Sequence, residues 1–214
     1  MQELETYYAK RAKEHDKVYL KPERQEDLRL LKKELPKIVA GKKVLDIGCG
    51  TGYWTYYLSQ LATSITGVDV NQPVLAEAST REYGCPVSFQ QESYYELTAL
   101  DDTYEVVFGG FVYSHVSKEK EEAFFHNILE RLVPGGQLIL LDNRYVEGSS
   151  TPISRTDAAE NTYQTRKLES GEHFEILKNF PTEESFQSLS RLGLRLDSFQ
   201  QLPYYWKAQL LKRS

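Results

Sequence analysis

The chain reads as an α/β protein: a mainly parallel sheet covered by helices on both faces. Short β-branched runs alternate with stretches whose apolar residues recur at helical spacing. Three glycines at alternate positions join the first of those runs to the helix that follows it. The 214 residues suit one domain with a large core, so residues 1 to 214 are expected to fold as a single unit.

Taken in order, residues 3 to 16 read as a polar helix. A second helix near 23 to 35 carries Leu28, Leu31 and Leu35 at helical spacing, with Pro36 at or near its end. Together, residues 1 to 36 form a helical cap. Strand one is 44 to 47, followed by a helix over 53 to 61. Strand two ends at Asp69, and a helix over 73 to 83 follows it. Strand three is 87 to 90 and strand four 104 to 109. A helix over 118 to 132 then turns Phe124, Phe125, Ile128, Leu129 and Leu132 inward. Strand five, 137 to 142, follows a Pro134-Gly-Gly turn. After Asn143 the pattern changes, and residues 144 to 181 read as an insertion and lid. Within it, 162 to 168 and 173 to 177 form a hairpin around Glu169-Ser-Gly-Glu172. Phe174 or Phe180 is placed to close it. Thr182 caps a helix to Leu192, and strands at 195 to 200 and 206 to 212 bring the main sheet to seven.

Composition narrows the partners. A net charge of -5 gives no general attraction to phosphate backbones, so nucleic acid is disfavoured and a small-molecule partner favoured. No apolar run approaches the roughly 20 residues of a membrane helix. The amino-terminal residues contain no export segment, and a cytoplasmic location is expected. Cys49 and Cys85 are too few for a disulfide framework or a cysteine zinc site, and both are expected to be reduced thiols. Fifteen tyrosines, several of them in adjacent pairs, suit positions with one apolar and one wet side. The oligomeric state is open, a homodimer included.

Residues 43 to 54, Lys-Val-Leu-Asp-Ile-Gly-Cys-Gly-Thr-Gly-Tyr-Trp, carry the most information. Gly48, Gly50 and Gly52 permit a left-handed backbone and a close approach by a ligand, which marks a nucleotide-cofactor loop. Asp46 puts a carboxylate at the strand's carboxyl end, where it would repel a pyrophosphate and attract an ammonium. The spacing also argues against NAD, since dinucleotide loops read G-x-G-x-x-G and Tyr53 stands at the last position. Val44-Leu-Asp-Ile-Gly-Cys-Gly-Thr-Gly52 resembles the first motif of the class I S-adenosylmethionine (SAM)-dependent methyltransferases.

That resemblance implies a Rossmann-like methyltransferase fold, SAM as cofactor and S-adenosylhomocysteine (SAH) as product. It assigns Asp46, Gly48, Cys49, Gly50, Thr51, Gly52 and Trp54 to the cofactor. Asp69, at the end of strand two, is positioned to accept from two ribose hydroxyls, with Val70 against the adenine edge. Where the family commonly has Gly-Asp after strand three, this chain has Glu92-Ser93, and either residue is placed to meet the adenine amino group. Gly109, Gly110 and Phe111 occupy the position that lines the methionine arm. Asn/Asp-Pro-Pro-Tyr, usual there in base-methylating enzymes, is missing. Tyr8, Arg11 and Tyr19 resemble cap residues that reach the methionine carboxylate.

Methyl transfer from a sulfonium is an in-line displacement that needs an aligned nucleophile, plus a proton acceptor when the nucleophile is protonated. His115, just beyond strand four, is the candidate base, the alternative being a capping or supporting histidine. Tyr94 and Tyr113 are placed to orient the acceptor. Asp142-Asn143 resembles the metal-binding pair of catechol-type O-methyltransferases. The partner acid is replaced by Gly109-Gly110, so no metal is expected and the pair is expected to bond substrate or insertion. Arg144 and Tyr145 leave strand five toward the same pocket. Arg144, Arg155, Arg166 and Lys178 make the insertion locally basic, which suits a carboxylate or phosphate on the acceptor or, equally, a solvated surface.

The expected activity is metal-independent methylation of an O or N atom of a small molecule. A protein or RNA methyltransferase and a non-catalytic SAM-binding regulator are the alternatives.

Overall fold

The computed structural model describes residues 2–213. Along the chain the strands of its main sheet are β1 (Lys43–Ile47), β2 (Ser64–Asp69), β3 (Val87–Gln91), β4 (Tyr104–Gly110) and β5 (Leu132–Asn143), and after a small second sheet β9 (Leu194–Gln201) and β10 (Tyr205–Lys212). Their order in space is β3-β2-β1-β4-β5-β10-β9. The pairs from β3 to β5 are parallel, and β10 runs antiparallel to both of its neighbours. The chain leaves β1 toward β2 on one side and returns to β4 on the other. The order therefore reverses between β1 and β4, and the crevice beyond their carboxyl ends is where such sheets bind ligands.

Helices cover both faces. On one side α2 (Gln25–Ile38) and α3 (Tyr53–Ser59) bury Leu28, Leu31, Leu35, Trp54 and Leu58 against Val44, Val106 and Ile139. On the other, α5 (Glu121–Arg131) and α6 (Glu183–Gln187) bring Phe124, Phe125, Ile128 and Phe186 onto Leu45, Leu138 and Trp206. The insertion holds the second sheet, in the order β6 (Arg155–Thr156), β7 (Thr162–Lys167), β8 (His173–Leu177). The expected hairpin is present and carries one additional short strand.

Several boundaries differ from expectation. The first helix, α1 (Gln2–Lys10), is shorter, and a 3-10 segment, Ala12–Leu20, continues the chain. Pro36 lies inside α2. In the last turn its missing N–H forfeits one bond only, and Val39 N–H still reaches Leu35 O at 3.3 Å. The Pro134-Gly-Gly segment is a bulge within β5: the register with β4 jumps from Tyr104↔Leu132 to Val106↔Gln137, and Gly135 takes φ +72°. Helix α4 (Gln72–Ala78) and helix α6 stop short of their expected ends, α6 passing into the 3-10 turn Ser188–Leu192. At the start of α6, the Ser185 hydroxyl accepts from Thr182 N–H at 3.3 Å.

Candidate active site

The loop after β1 folds back under the crevice. Gly48, Gly50 and Gly52 take φ of +62°, +55° and +75°. A Cβ on Gly48 would stand 2.5 Å from Val112 Cγ2, so both backbone angle and space demand glycine there. Cys49 N–H bonds Val68 O at 3.0 Å, and its side chain is buried. Thr51 Oγ1 donates to Asp16 at 2.7 Å, its carbonyl accepts from Arg81 Nε at 2.6 Å, and Arg81 pairs with Asp16. The 3-10 segment of the cap is thereby clamped to the glycine loop.

The crevice encloses roughly 940 Å³ of non-protein space, its open mouth included. Of the expected cofactor residues, Tyr8, Tyr19, Asp46, Gly48, Cys49, Gly50, Thr51, Trp54, Asp69, Val70, Ser93, Gly110 and Phe111 line it, with His115. Asp69 is held at its rim: Oδ2 accepts from Gly50 N–H at 3.0 Å and Oδ1 from Asn71 N–H at 2.9 Å. Asp46 is buried and accepts from Thr55 Oγ1 at 2.6 Å; burial pushes its carboxyl up to about 7, against the Thr55 bond and with help from Asp69.

Other expected residues lie elsewhere. Gly52 caps α3 rather than facing the cavity. Glu92 uses its N–H on Asp69 O at 3.1 Å and is absent from the lining, which leaves Ser93 as the residue of that pair facing the crevice. Gly109 packs inside the sheet against Leu140 and Ile47. Arg11 donates to Tyr7 Oη at 2.9 Å and faces a second cleft. Tyr113 is in the core among Phe124, Phe125 and Phe186, with its hydroxyl on Glu121 at 2.9 Å.

His115, on a 3-10 turn after β4 and only 6% exposed, is held at both ring nitrogens. Nδ1 lies 2.6 Å from Leu177 O and Nε2 2.9 Å from Tyr8 Oη. A carbonyl oxygen only accepts, so Nδ1 carries the proton and Nε2 accepts from Tyr8. Burial, then Lys178 and Arg166, lower its pKa to about 3. It is a neutral imidazole whose one lone pair, on Nε2, is engaged by the Tyr8 hydroxyl at the crevice.

The second cleft adjoins the first. Tyr8, Tyr19 and Phe111 line both. Its walls carry Arg11, Lys21, Arg24, Arg166 and Lys178, and among the described residues no aspartate or glutamate lines it. Lys178 is neutralised: it is buried with Nζ 2.6 Å from Asp142 Oδ1 and from Ser114 Oγ. Asp142 is fully buried, and its oxygens also accept from Asn143 N–H at 2.7 Å and Ser114 N–H at 3.3 Å. Its carboxylate thus supports the insertion rather than meeting an acceptor. Asn143 does face the second cleft, accepting from Arg24 at 2.7 Å. Arg144 donates to Leu202 O and Pro203 O, and the exposed Tyr145 ring rests edge-on against Phe180, so neither faces a cleft. Arg155 pairs with Glu175 on the surface. Phe174 packs on Tyr7 and Phe180 lines the second cleft.

Residues not anticipated from the sequence include Asn71, Val74, Tyr95 and Val112 in the first cleft, and Lys21, Arg24 and Gln164 in the second. Of these, Val112 alone carried a signal, standing three residues before His115 on what becomes a 3-10 turn.

Comparison with known proteins agrees with this geometry. Residues 44–136 match the family described as a methyltransferase domain. Two structures of DhpI, one with SAH and one with SAM and HEP, superpose with TM-scores of 0.78 and 0.80 at 26% identity. They cover 99% and 98% of this chain and 96% of DhpI in each case. The chain has the fold of the class I SAM-dependent methyltransferases. The ubiquinone biosynthesis O-methyltransferase of Rhizobium etli (strain CIAT 652) is 30% identical over 75% of this chain and 63% of the relative. Phosphoethanolamine N-methyltransferase 1 of Zea mays is 25% identical over 75% of this chain and 33% of the relative. The chain thus spans about a third of the maize enzyme's length and under two thirds of the Rhizobium enzyme's. No helix among the described residues is long and apolar enough to cross a membrane.

Proposed function

We propose that this methyltransferase moves a methyl group from SAM to an oxygen or nitrogen of a small-molecule acceptor seated in the second cleft, without a metal. The observation that carries the reading is the junction of the two clefts at Tyr8, Tyr19 and Phe111, with His115 beside it. Asp69 holds the ribose, with Val70 and Ser93 near the base. The glycine loop and Asp46 take the methionine arm, and the cap residues Tyr8 and Tyr19 close over it. SAM supplies an electrophilic methyl on a sulfonium. Trp54, Tyr19 and Phe111 wall the junction with rings, which exclude water from the transfer path.

His115 then serves as the proton acceptor. Its Nε2 takes the Tyr8 hydroxyl proton as that hydroxyl takes one from the acceptor, so the two residues act as a relay. The proton acceptor is needed when the attacking atom is protonated, as a hydroxyl is at neutral pH.

The relatives' names, an O-methyltransferase and an N-methyltransferase, support a small acceptor without selecting the atom. The net charge of -5 favours such an acceptor over nucleic acid, and free Cys49 and Cys85 fit a cytoplasmic setting.

Incubating the chain with SAM and a panel of small hydroxyl and amine acceptors, with SAH release read by mass spectrometry, tests the reading. Turnover should be insensitive to EDTA, and Asp69→Ala should lose SAH binding while remaining folded. SAH binding without release on any acceptor, protein and RNA included, would leave a SAM-binding regulator instead.

A further inference from the structure

We propose that the second cleft binds its occupant by an oxyanion, a phosphoryl, phosphonyl or carboxylate group held between Arg24 and Arg166. The proposal rests on the methyl-transfer reading only in naming that occupant as the acceptor.

The charge balance of the cleft carries it. Lys178 is neutralised by Asp142 and Lys17 by Glu169. Among the described residues, Arg11, Lys21, Arg24 and Arg166 have no carboxylate oxygen within 4.0 Å; their hydrogen bonds go to neutral groups. Arg24 is 4% exposed, yet its guanidinium meets Asn143 Oδ1 at 2.7 Å and Ser149 Oγ at 3.0 Å, and Glu23 approaches it only through the Ser149 hydroxyl. A buried charge without a counter-charge is expensive, and proteins keep one where a ligand completes it.

Arg166 supplies an independent observation. Its Nη2 donates to Gln164 Oε1 at 2.9 Å, while its Nε is buried with no acceptor. Gln164 is itself buried and fixed by a 2.6 Å bond to Thr151 O, which sets the guanidinium plane from behind. Planar, pre-oriented donors beside a second buried guanidinium suit an oxyanion better than a neutral group. Lys21 responds to the same field: burial first, then Arg24 and Arg166, lower its pKa, with Glu23 acting in the opposite sense. The cleft therefore repels its own cations, which an anion would relieve. An acceptor anchored there has its other end near Tyr8, which lines both clefts.

The test is calorimetric titration of the full chain, with and without saturating SAH, with inorganic phosphate and separately with acetate, in low-salt buffer. We expect saturable one-to-one binding of at least one anion, weakened at high salt. The stronger ligand distinguishes a phosphoryl or phosphonyl source from a carboxylate one. Arg166→Gln should weaken that binding about tenfold or more, and Arg166→Lys less, with SAH affinity unchanged. Because Arg24 also ties the cap to Ser149, Arg24→Gln is read only beside its melting curve, and the half-buried Arg166 decides if that variant fails to fold. No saturable binding of either anion, or binding equal in wild type and Arg166→Gln, overturns the proposal. Anion binding in a chain that does not bind SAH would instead sink the methyl-transfer reading and leave the anion site standing.

Discussion

The Tyr8 hydroxyl lies 2.9 Å from His115 Nε2, a bond made between α1 and the turn after β4 across 107 residues of sequence. The cap is therefore part of the chemistry of the crevice as well as its cover. If the two residues relay the acceptor's proton, His115→Ala should lower kcat by about two orders of magnitude with SAH affinity nearly kept. Tyr8→Phe removes the hydroxyl and keeps the ring, and should fall in the same direction by about tenfold or more. Steady-state kinetics at saturating SAM reads both. Equal turnover in wild type and His115→Ala would assign the histidine a supporting role and imply that the attacking atom arrives deprotonated.

The proton balance of His115 gives a second prediction. Lys178 after β8, Arg166 on β7, Asp142 on β5 and Tyr8 on α1 surround the ring, and burial with the two cations outweighs Asp142. With its folded pKa at about 3, below the ordinary 6.5, the unfolded chain takes up a proton first as the solution is acidified. Stability contributed by the neutral ring is complete above pH 6.5 and is lost as pH falls toward 3. Urea midpoints at pH 7 and pH 4 should therefore drop more for wild type than for His115→Gln, and the His115 ring protons should show no titration between pH 5 and 8. A midpoint near 6.5 in that NMR titration would contradict the buried neutral tautomer.

Asp46 moves the other way. Its carboxyl, raised to about 7 chiefly by burial, holds a proton that the unfolded chain has already lost, so its contribution to stability is greatest in acid and disappears as pH rises from 3.8 through 7. A cationic sulfonium and ammonium beside it favour the ionised form. Cofactor binding should then expel up to about one proton at pH 6 and almost none at pH 8, and affinity should weaken below pH 7. Titrations with SAM in buffers of different ionisation enthalpy measure this directly. Asp46→Asn should remove the proton release, and release persisting in that variant would place the titrating group elsewhere.

The sheet and the cofactor cleft were legible in the sequence because each rests on local pattern. Alternating strands and helices define the order, and Gly48, Gly50, Gly52, Asp46 and Asp69 sit at spacings fixed by one strand-helix-strand unit. The acceptor side was legible only in part. Arg166 and Lys178 stood out as a basic stretch, but Lys21 and Arg24 come from the cap, and nothing local ties them to the insertion. Tyr113 was misplaced for a geometric reason. Residues 113 to 115 form a 3-10 turn, whose period of three puts Val112 and His115 on the crevice and sends Tyr113 into the core. Asp142 was expected to bond substrate or the insertion, and the fold brings Lys178 of the insertion from 36 residues away onto its Oδ1.

That pair yields the last prediction. Asp142 and Lys178 are joined at 2.6 Å with side chains 0% and 3% exposed; their partner Ser114 lies on the turn that presents His115, and Asn143 ends β5 where it accepts from Arg24 of the cap. Burial would raise the Asp142 pKa, yet the Lys178 charge and the hydrogen bonds from Lys178 and Ser114 hold it below its ordinary value, so the carboxylate is ionised. Removing one partner leaves the other charge buried alone, which costs about 3–5 kcal/mol. Asp142→Asn should therefore lower the melting temperature sharply, with little relief from added salt, whereas breaking the exposed Lys17–Glu169 pair should cost no more than about 1 kcal/mol. Paired replacement of Asp142 and Lys178 by apolar residues of similar volume should recover much of the loss, because no orphaned charge remains. Chemical denaturation of the single and paired variants measures the difference. A single variant as stable as wild type would show that water reaches the pair, and the Asp142 carboxylate would then be open to an acceptor after all.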